Sequence, residues 1–483
     1  MDDHLDGASH EQLVAIIRVL QAQLTAQALT IATLTARIKT LEDQRATDSH
    51  NSSKPPSSDR FGRRTKSQRK PSGKPSGGQP GHPGSTLRQT EHPDQVVVVQ
   101  SPADCGECGR SLAGGAAETI EKRQVVELPP LRLVTTEYAA DHTRCPGCGQ
   151  VNRGAFPAGV TQPVQYGPRL QGLLVYLTVY QLLPSQRTQE LVRDLFGCAH
   201  LSEGTLHAAV QRGAGQLEGI EAAIKGALHG APVGHVDETG LYVGGRREWL
   251  HVFSTSQLTH YAWHAKRGKV ASDAIGILPR FQGRAVHDGW KPYLQYDCAH
   301  ALCNAHHLRE LTFLEEQQGQ AWAGTLGALL GTMQAAVVAA RAAGRDELDT
   351  PTIQAFEAEY DRIVADALAA CPPPPERPAG HRGRQKQTKA KNLLDRLSNQ
   401  REEVLAFLHD FRVPFDNNQA ERDLRMIKGK QKISACFRSD TGAQAFCRIH
   451  GYLSTLRKQG LPILDALTQT LRGNPLTPSY ATA

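Results

Sequence analysis

Residues 232–265 have the sequence PVGHVDETGLYVGGRREWLHVFSTSQLTHYAWHA, and this stretch decides the fold of the central part of the chain. Apolar and polar residues alternate in three short runs: Val233–Asp237, Glu248–Ser254 and His260–Ala265. A period of two residues is typical of β-strands, and the Gly-Gly pair between the first two runs favours a tight turn. The stretch therefore predicts a meander of three strands.

A helix at Ala271–Leu278 and a fourth strand ending at Asp288 are predicted to follow. A meander, a crossover helix and a further strand form the beginning of an RNase H-like sheet. In such a sheet, acidic residues at the end of the first strand and after the fourth lie side by side, which here selects Asp237 and Asp288. Alternation sends Glu238 to the opposite face of its strand, so Asp237 is the better candidate.

A third candidate carboxylate, Glu421, lies far downstream in the sequence FDNNQAERDLR, which starts at Phe415. This segment is predicted to be helical, and Asn417 or Asn418 is expected to cap the helix. Apolar residues at helical spacing would form its buried face: Ala420, Leu424 and Ile427.

Three carboxylates of this kind suit two divalent cations per active site, Mg²⁺ or Mn²⁺. Two such ions about 3.5–4 Å apart clamp the attacking and leaving oxygens of an in-line phosphoryl displacement. Arg425 and Lys428 share a helix face with Glu421 and could contact a DNA phosphate there. On spacing alone, ordinary salt bridges explain the three carboxylates equally well, because arginines such as Arg246 and Arg422 are plentiful.

The first segment, 1–46, carries apolar residues in alternating steps of four and three, the pattern of a coiled coil. The a positions are Ile17, Leu24, Ile31 and Ile38. The d positions are Leu13, Leu20, Leu34 and Leu41, together with the polar Gln27. Isoleucine-rich a positions over leucine-rich d positions favour a parallel pair, which predicts a homodimer. The alternative is an amphipathic helix that packs on its own protein.

Segment 47–92 is rich in Ser, Pro, Gly and basic residues, and contains the run NSSKPPSSD at 51–59. Nine basic residues stand against one acidic residue between Lys54 and Arg88. Such a segment buries too little apolar surface to fold alone, but it can follow a phosphate backbone. The candidate DNA-binding residues are Arg63, Arg64, Lys66, Arg69 and Lys70. A simple solubilising linker is the alternative.

Segment 93–155 contains two CxxC pairs, Cys105–Cys108 and Cys145–Cys148. Four thiolates on two such turns predict one structural Zn²⁺ in a zinc ribbon. Strands are expected around the cysteines at Val96–Val99 and Val125–Thr136. DNA contact and structural stapling are equally compatible with this ribbon.

The remaining segments complete a multidomain α+β chain. Residues 160–228 are predicted to be helical, with Ser202 as a helix cap, and a helix-turn-helix would fit this pattern. Residues 229–309 would form the first part of the catalytic core, 310–392 a helical insertion with a basic linker, and 393–483 the second part of the core with a C-terminal tail.

The formal net charge of +7 is modest, but it is concentrated in short tracts, which indicates a polyanionic partner. Besides 47–92, a basic tract runs from Arg377 to Lys391, and another contains Lys428, Lys430, Lys432 and Arg438. The acidic start of the chain is unlike a signal peptide, and the longest apolar stretch, Leu170–Leu183, is too short to span a bilayer. We therefore expect a soluble intracellular protein without a membrane role.

The sequence resembles the transposase of the insertion sequence sixty-six family, which belongs to the DDE group. The matching features run through nearly the whole chain: the zipper, NSSKPPSSD, both CxxC pairs, Asp237-Glu-Thr, Asp288-Gly and NNQAER at 417–422. The resemblance implies that Asp237, Asp288 and Glu421 are the catalytic triad, and that cleavage leaves a 3′-hydroxyl which attacks target DNA. It also implies a bacterial, nucleoid-associated protein that acts with accessory proteins of the same element.

Two details differ from the family pattern or compete with it. Trp290 stands where the family commonly has tyrosine, and Asp297 is a rival for the second aspartate that lies beyond the Asp-Gly turn. The family's Cys-x2-His-x2-Arg pattern is matched by Cys303, His306 and Arg309, which would share one helix face. Those three could point toward the active site or DNA, or form a buried structural network.

Two other functions compete with a transposase. A DNA-binding regulator would need the zipper, ribbon and basic arm but no triad. A hydrolytic nuclease of the same fold would need the triad but neither arm nor zipper. The chain contains both sets of features, which favours the transposase.

Overall fold

The computed structural model describes residues 9–48, 50–52, 75, 77–115, 121–373 and 387–481. The chain divides into two compact units, the first comprising Met1–Ser67, Tyr138–Glu190 and His200–Ala483, and the second Gln68–Glu137 and Leu191–Ala199. The fold is mixed α+β, as predicted. The predicted DNA-binding residues of the basic arm lie outside the described residues: Arg63, Arg64, Lys66, Arg69 and Lys70.

The first unit begins with a long helix, α1 (His10–Ala46). A capping box starts it, because the backbone N–H of Gln12 donates to Oγ of Ser9 at 3.3 Å and that of Ser9 donates to Oε1 of Gln12 at 2.8 Å. Most residues of the predicted seam have half or more of their surface exposed: Ile17, Leu20, Leu24, Ile31, Leu34, Ile38 and Leu41.

The predicted strands at Val96–Val99 and Val125–Thr136 are wrong: neither segment, both fully described, contains a strand. Apolar side chains in both segments, such as Val99 and Val125, are exposed. A strand requires backbone hydrogen bonds to a neighbouring strand. The hydrogen bonds that join the chain near Gln89 to the chain near Gln124 are instead made by these two glutamine side chains. The observed strands are shorter and flank the second cysteine pair: β1 (His142–Arg144) and β2 (Val151–Arg153), which pair antiparallel.

Segment 160–228 is helical, as predicted. It contains α2 (Pro168–Val175), a π-helical turn, α3 (Ser185–Phe196), α4 (Glu203–Gln216) and α5 (Glu218–His229). Ser202 caps α4, since its Oγ accepts the backbone N–H of Thr205 at 3.1 Å.

A five-stranded mixed sheet follows, with the spatial order β5-β4-β3-β6-β7. Its strands are β3 (Val233–Val243), β4 (Arg246–Ser254), β5 (Thr259–His264), β6 (Arg284–His287) and β7 (Ala299–Leu302). β3, β4 and β5 form the predicted antiparallel meander, whose first turn uses Gly244 and Gly245 at φ +55° and +79°. Helix α6 (Lys269–Ile275) leads to β6, which runs parallel to both β3 and β7.

The later segments are helical. In the sequence, the sheet is followed by α7 (Asn304–Gln318), α8 (Ala321–Ala342), α9 (Thr350–Ala370), α10 (Lys389–Asn399) and α11 (Arg401–His409). The last part contains α12 (Asn418–Ile433), α13 (Asp440–Lys458) and α14 (Ile463–Leu471). One hydrophobic core joins the sheet to the flanking helices α2, α4, α5 and α12–α14, and a second joins β6 and β7 to α7–α11.

Among the described residues, two helices, α1 and α8, are long and apolar enough to cross a bilayer by length and composition alone. This corrects the expectation that no apolar stretch is long enough. Helix α8 buries Leu326, Leu330 and Met333 in the second core, as core helices of soluble proteins do. The apolar residues of α1 instead follow the heptad spacing of a coiled coil.

Helix α12 lies on β3 and carries the predicted buried face, because Ala420, Leu424 and Ile427 are all buried. An ion pair anchors it, with Nζ of Lys458 on α13 lying 2.9 Å from Oδ2 of Asp423. Both side chains are about nine-tenths buried. Removing one partner of such a pair typically costs about 3–5 kcal/mol, because the other charge is left buried alone.

The start of α12 is fixed by the side chain of Asn417, which is 1% exposed. Of the two predicted caps, Asn417 occupies the N-cap position and Asn418 is the first residue of the helix. The side chain of Asn417 makes no capping hydrogen bond, which corrects the prediction. Its Nδ2 donates to the carbonyl of Val236 at 2.9 Å, and its Oδ1 lies 2.8 Å from Nδ1 of His235. Because Oδ1 can only accept, His235 carries its proton on Nδ1. Asn417 thereby joins α12 directly to β3.

We predict that Asn417→Ala lowers the free energy of unfolding by about 3 kcal/mol, because it leaves a buried N–H and a buried carbonyl unpaired. Urea unfolding followed by circular dichroism measures the change. Asn418→Ala is the matched control. The Asn418 side chain is only partly buried and bonds to Asp416, so its loss should cost under about 1 kcal/mol. If the two variants lost equal free energy of unfolding, the hydrogen bonds of Asn417 would not be what joins α12 to β3.

Candidate active site

Asp237 and Asp288 both lie just beyond the parallel pairing of β3 with β6. Asp288 follows the end of β6, whereas Asp237 is inside β3, which runs on to Val243, so the prediction that Asp237 ends its strand is wrong. The last register pair of β3 and β6 is His235 with Val286, and each aspartate lies two residues beyond it. Burial raises the pKa of Asp237 well above its usual range, and the charges of Glu238, Asp288 and Glu421 raise it further. Glu421 reaches the same place from the first turn of α12. The charges of Asp288 and Glu421 therefore both act on Asp237.

The turn after β6 presents Asp288 to solvent. Gly289 has φ +85°, a conformation that side chains disfavour, and its N–H donates to Nδ1 of buried His287 at 3.0 Å. His287 must then carry its proton on Nε2, which lies 3.0 Å from Nδ1 of His300. Burial lowers the pKa of His287 to about 3, so this histidine is neutral beneath Asp288. The turn is thus fixed by uncharged groups.

The rival Asp297 lies at the other end of the sheet. It precedes β7, whose first residue Ala299 pairs with Arg284 at the start of β6, whereas Asp288 follows the end of β6. The geometry thus separates Asp297 from Asp237, although nothing in the sequence spacing did so.

Glu238 lies on the opposite face from Asp237, as alternation predicts. Its side chain is 2% exposed, and it is paired with Arg267, whose Nε lies 2.8 Å from Oε1. The hydroxyl of Tyr293 donates to its other oxygen. Burial raises the pKa of Glu238, while the hydrogen bonds from Tyr293 and Arg267 oppose that shift. Glu238 is therefore held by the side chains of Arg267 and Tyr293.

Cys303, His306 and Glu421 form a second arrangement at this site. One potential ligand atom from each lies within 4.8 Å of the others, so the three could hold a metal ion. Nε2 of His306 lies 3.9 Å from Oε1 of Glu421, and its buried Nδ1 has no hydrogen-bond partner. Burial raises the pKa of Cys303 to about 12, and its Sγ accepts the backbone N–H of Asn417 at 3.1 Å. Arg309 follows one turn after His306 on α7.

The basic residues of α12 differ in their surroundings. Arg425 and Lys428 are exposed, and the pKa of Lys428 is lowered by partial burial and by Arg247, while the charge of Asp237 opposes this shift. Lys430 faces the protein, with its Nζ 4.7 Å from the ring centre of Phe437. Arg425 and Lys428 are thus exposed on the helix that carries Glu421, and Lys430 is less accessible than the sequence suggested.

The two cysteine pairs fall in different units and adopt the same local turn. In each pair, a glycine four residues after the first cysteine, Gly109 or Gly149, donates its backbone N–H to the carbonyl of that cysteine at 2.9 Å. Backbone N–H groups of Cys108 and Glu107 lower the pKa of Cys105, and those of Cys148 and Gly147 lower the pKa of Cys145. Each turn favours the thiolate form that a zinc ion requires.

Comparison with known proteins identifies the relatives of this chain. The family model described as "Transposase IS66 family" matches residues 163–445, from α2 to α13, which includes the sheet and all three candidate carboxylates. A model described as "Family of unknown function (DUF6444)" matches residues 8–88. The search of curated proteins found no match. Because the first model covers more than half of the chain, the chain belongs to the IS66 family of transposases.

Proposed function

We propose that this chain is a DDE transposase that cuts DNA at the ends of its element and joins the new 3′-hydroxyl to target DNA. The observation that carries the proposal is the convergence of Asp237, Asp288 and Glu421 from three separate segments of the chain. The strand order β5-β4-β3-β6-β7, with β4 antiparallel to its neighbours, supports an RNase H-like core. Membership of the family supports an enzyme that acts on DNA.

The donor set fits hard divalent cations. The three carboxylates offer oxygen ligands. Burial and the neighbouring carboxylate charges raise the pKa of Asp237, and a bound cation would offset both effects. Bound Mg²⁺ or Mn²⁺ supplies a more acidic attacking hydroxyl and a stabilised leaving oxygen. Asp237 and Asp288 would hold the ions at the sheet end, and Glu421 would complete the site from α12.

The remaining residues of this site orient the substrate. Arg425 and Lys428 lie on α12 within two turns of Glu421 and can bind phosphate oxygens of the DNA strand. His306 touches Glu421 and restricts the orientations of its carboxylate. A metal shared by Cys303, His306 and Glu421 would compete for the glutamate, and the high pKa of the Cys303 thiol disfavours its binding there. We therefore assign Cys303 and His306 to positioning.

We predict that Asp237→Asn, Asp288→Asn and Glu421→Gln each lower cleavage and joining roughly a thousandfold. Each change preserves side-chain volume but removes an anionic ligand, which costs several kcal/mol of transition-state stabilisation. DNA binding should persist, because phosphate contacts come from Lys and Arg. Labelled element ends incubated with Mg²⁺ report nicking and joining on a gel.

Asp297→Asn is the matched control for this triad and should retain turnover, because Asp297 lies at the other end of the sheet. An inactive Asp297→Asn with an active Asp288→Asn would show that the second aspartate is misassigned. Full activity in all three triad variants would refute the mechanism. Joined product identifies a transposase, cut ends alone a nuclease, and a gel shift alone a regulator.

We also propose that Cys105, Cys108, Cys145 and Cys148 bind one structural Zn²⁺, since each pair forms a turn that stabilises thiolate. Elemental analysis of the purified chain should give one zinc per chain. Cys105→Ser combined with Cys145→Ser should remove it, whereas Cys436→Ser, at an exposed cysteine outside both pairs, should not. Retention of zinc by the double variant would contradict the assignment.

Helix α1 is proposed to associate with a second copy of itself, because its heptad seam is exposed along the helix. Deleting residues 1–45 should lower the native mass of the protein in sedimentation without unfolding the rest. A milder variant, Leu24→Lys with Ile31→Lys, should do the same, whereas Thr25→Lys, outside the a and d positions, should not. A full-length chain that sediments as a monomer at micromolar concentration would refute the proposal.

A further inference from the structure

Two tryptophans and an arginine form a stack beside the candidate carboxylates. The guanidinium carbon of Arg267 lies 4.7 Å from the ring centre of Trp249 and 3.9 Å from that of Trp290. A second cation, Arg247, lies 5.1 Å from the ring of Trp249. We call Trp249, Arg267 and Trp290 the aromatic ledge. Both indoles are partly exposed, and the Arg267 side chain is 39% exposed.

Neighbouring residues fix the positions of the side chains in the aromatic ledge. Glu238, almost fully buried, pairs with Arg267 and so neutralises its charge and fixes the plane of its guanidinium. The ring of Tyr293 meets that of Trp290 edge-on, at 5.6 Å between ring centres and 82° between planes. Gly268 faces the far edge of Trp290, where an added Cβ would lie 3.4 Å from the indole. Stacked groups fixed in this way lose little freedom when a ligand binds.

The ledge also adjoins the proposed reaction centre. The backbone N–H of Trp290 donates to the carboxylate of Asp288 at 2.9 Å. Glu238 and Trp249 lie on the opposite face of the sheet from Asp237, so Trp290 is the member of the ledge that lies next to a candidate carboxylate. A DNA strand whose phosphate lies at Asp288 would therefore bring a neighbouring base within reach of the Trp290 indole.

We propose that the aromatic ledge stacks against an unpaired base of the DNA strand held at the active site; this inference rests on the proposed function. Aromatic faces bind bases of any identity, and each stacked base typically contributes about 1–3 kcal/mol. A paired base has its faces covered by its neighbours, so the ledge selects bases freed from the duplex. Partly exposed indoles, a fixed planar cation and a site proposed to act on DNA together favour this ligand.

Binding without added divalent cation tests the ledge, because no strand is cut under these conditions. The probes are a blunt duplex and the same duplex with a single-stranded extension that carries 2-aminopurine. The wild-type chain should bind the extended probe more tightly and quench its fluorescence by stacking. Trp290→Ala should lose that preference, roughly 5- to 100-fold, and leave blunt-duplex affinity unchanged. Trp290→Phe should restore most of it.

Two controls separate stacking from general damage. Lys291→Ala, at the exposed neighbour of Trp290, should change the affinity for both probes to the same extent, and circular dichroism at the assay temperature should show that every variant is folded. Equal wild-type affinity for both probes without quenching, or equal weakening of both by Trp290→Ala, overturns the ledge and leaves the proposed function intact. A wild-type chain that binds neither probe overturns the proposed function, and the ledge with it.

Discussion

The hydrogen bonds of Asn417 are the contact on which the arrangement of the site depends. They join two segments separated by 181 residues, the strand that carries Asp237 and the helix that carries Glu421. The backbone N–H of the same residue reaches Sγ of Cys303, which also fixes the start of α7. Since a buried amide that lost these partners would be left unsatisfied, the helix has one favourable position on the sheet.

The carboxylates near these hydrogen bonds fall into two electrostatic classes. Glu238 is neutralised by Arg267 and Tyr293, and its role is to hold them in place. Asp237 instead lies near the charges of Asp288 and Glu421, which add to the effect of burial in raising its pKa. Adjacent residues on one strand thereby acquire opposite roles, since alternation points one side chain at arginine and the other at its fellow carboxylates.

The second hydrophobic core explains how a chain of this length keeps the site intact. Helices α7–α11 pack with one another and against β6 and β7 instead of interrupting the first core. Cys303 and Asn304 sit at the junction, where the N–H of Asn304 donates to the carbonyl of Phe415 at 3.0 Å. The long segment between Asp288 and Glu421 therefore leaves and returns at nearly the same place, so its length does not disturb the geometry of the carboxylates.

The sequence by itself determined the meander, the crossover helix, the amphipathic face of α12 and the heptads of α1, because each is a local periodic pattern. It also selected Asp237 over Glu238, since side-chain alternation is local too. The sequence did not predict β7, which has only four residues. It predicted strands at Val96–Val99 and Val125–Thr136 from their apolar composition, but these segments have no strand to pair with. Only the tertiary structure decided that Asn417 bridges rather than caps, that Lys430 faces inward, and that Trp249, Arg267 and Trp290 meet. Each of these depends on contacts between residues distant in sequence or on the packing around them, which no local pattern records.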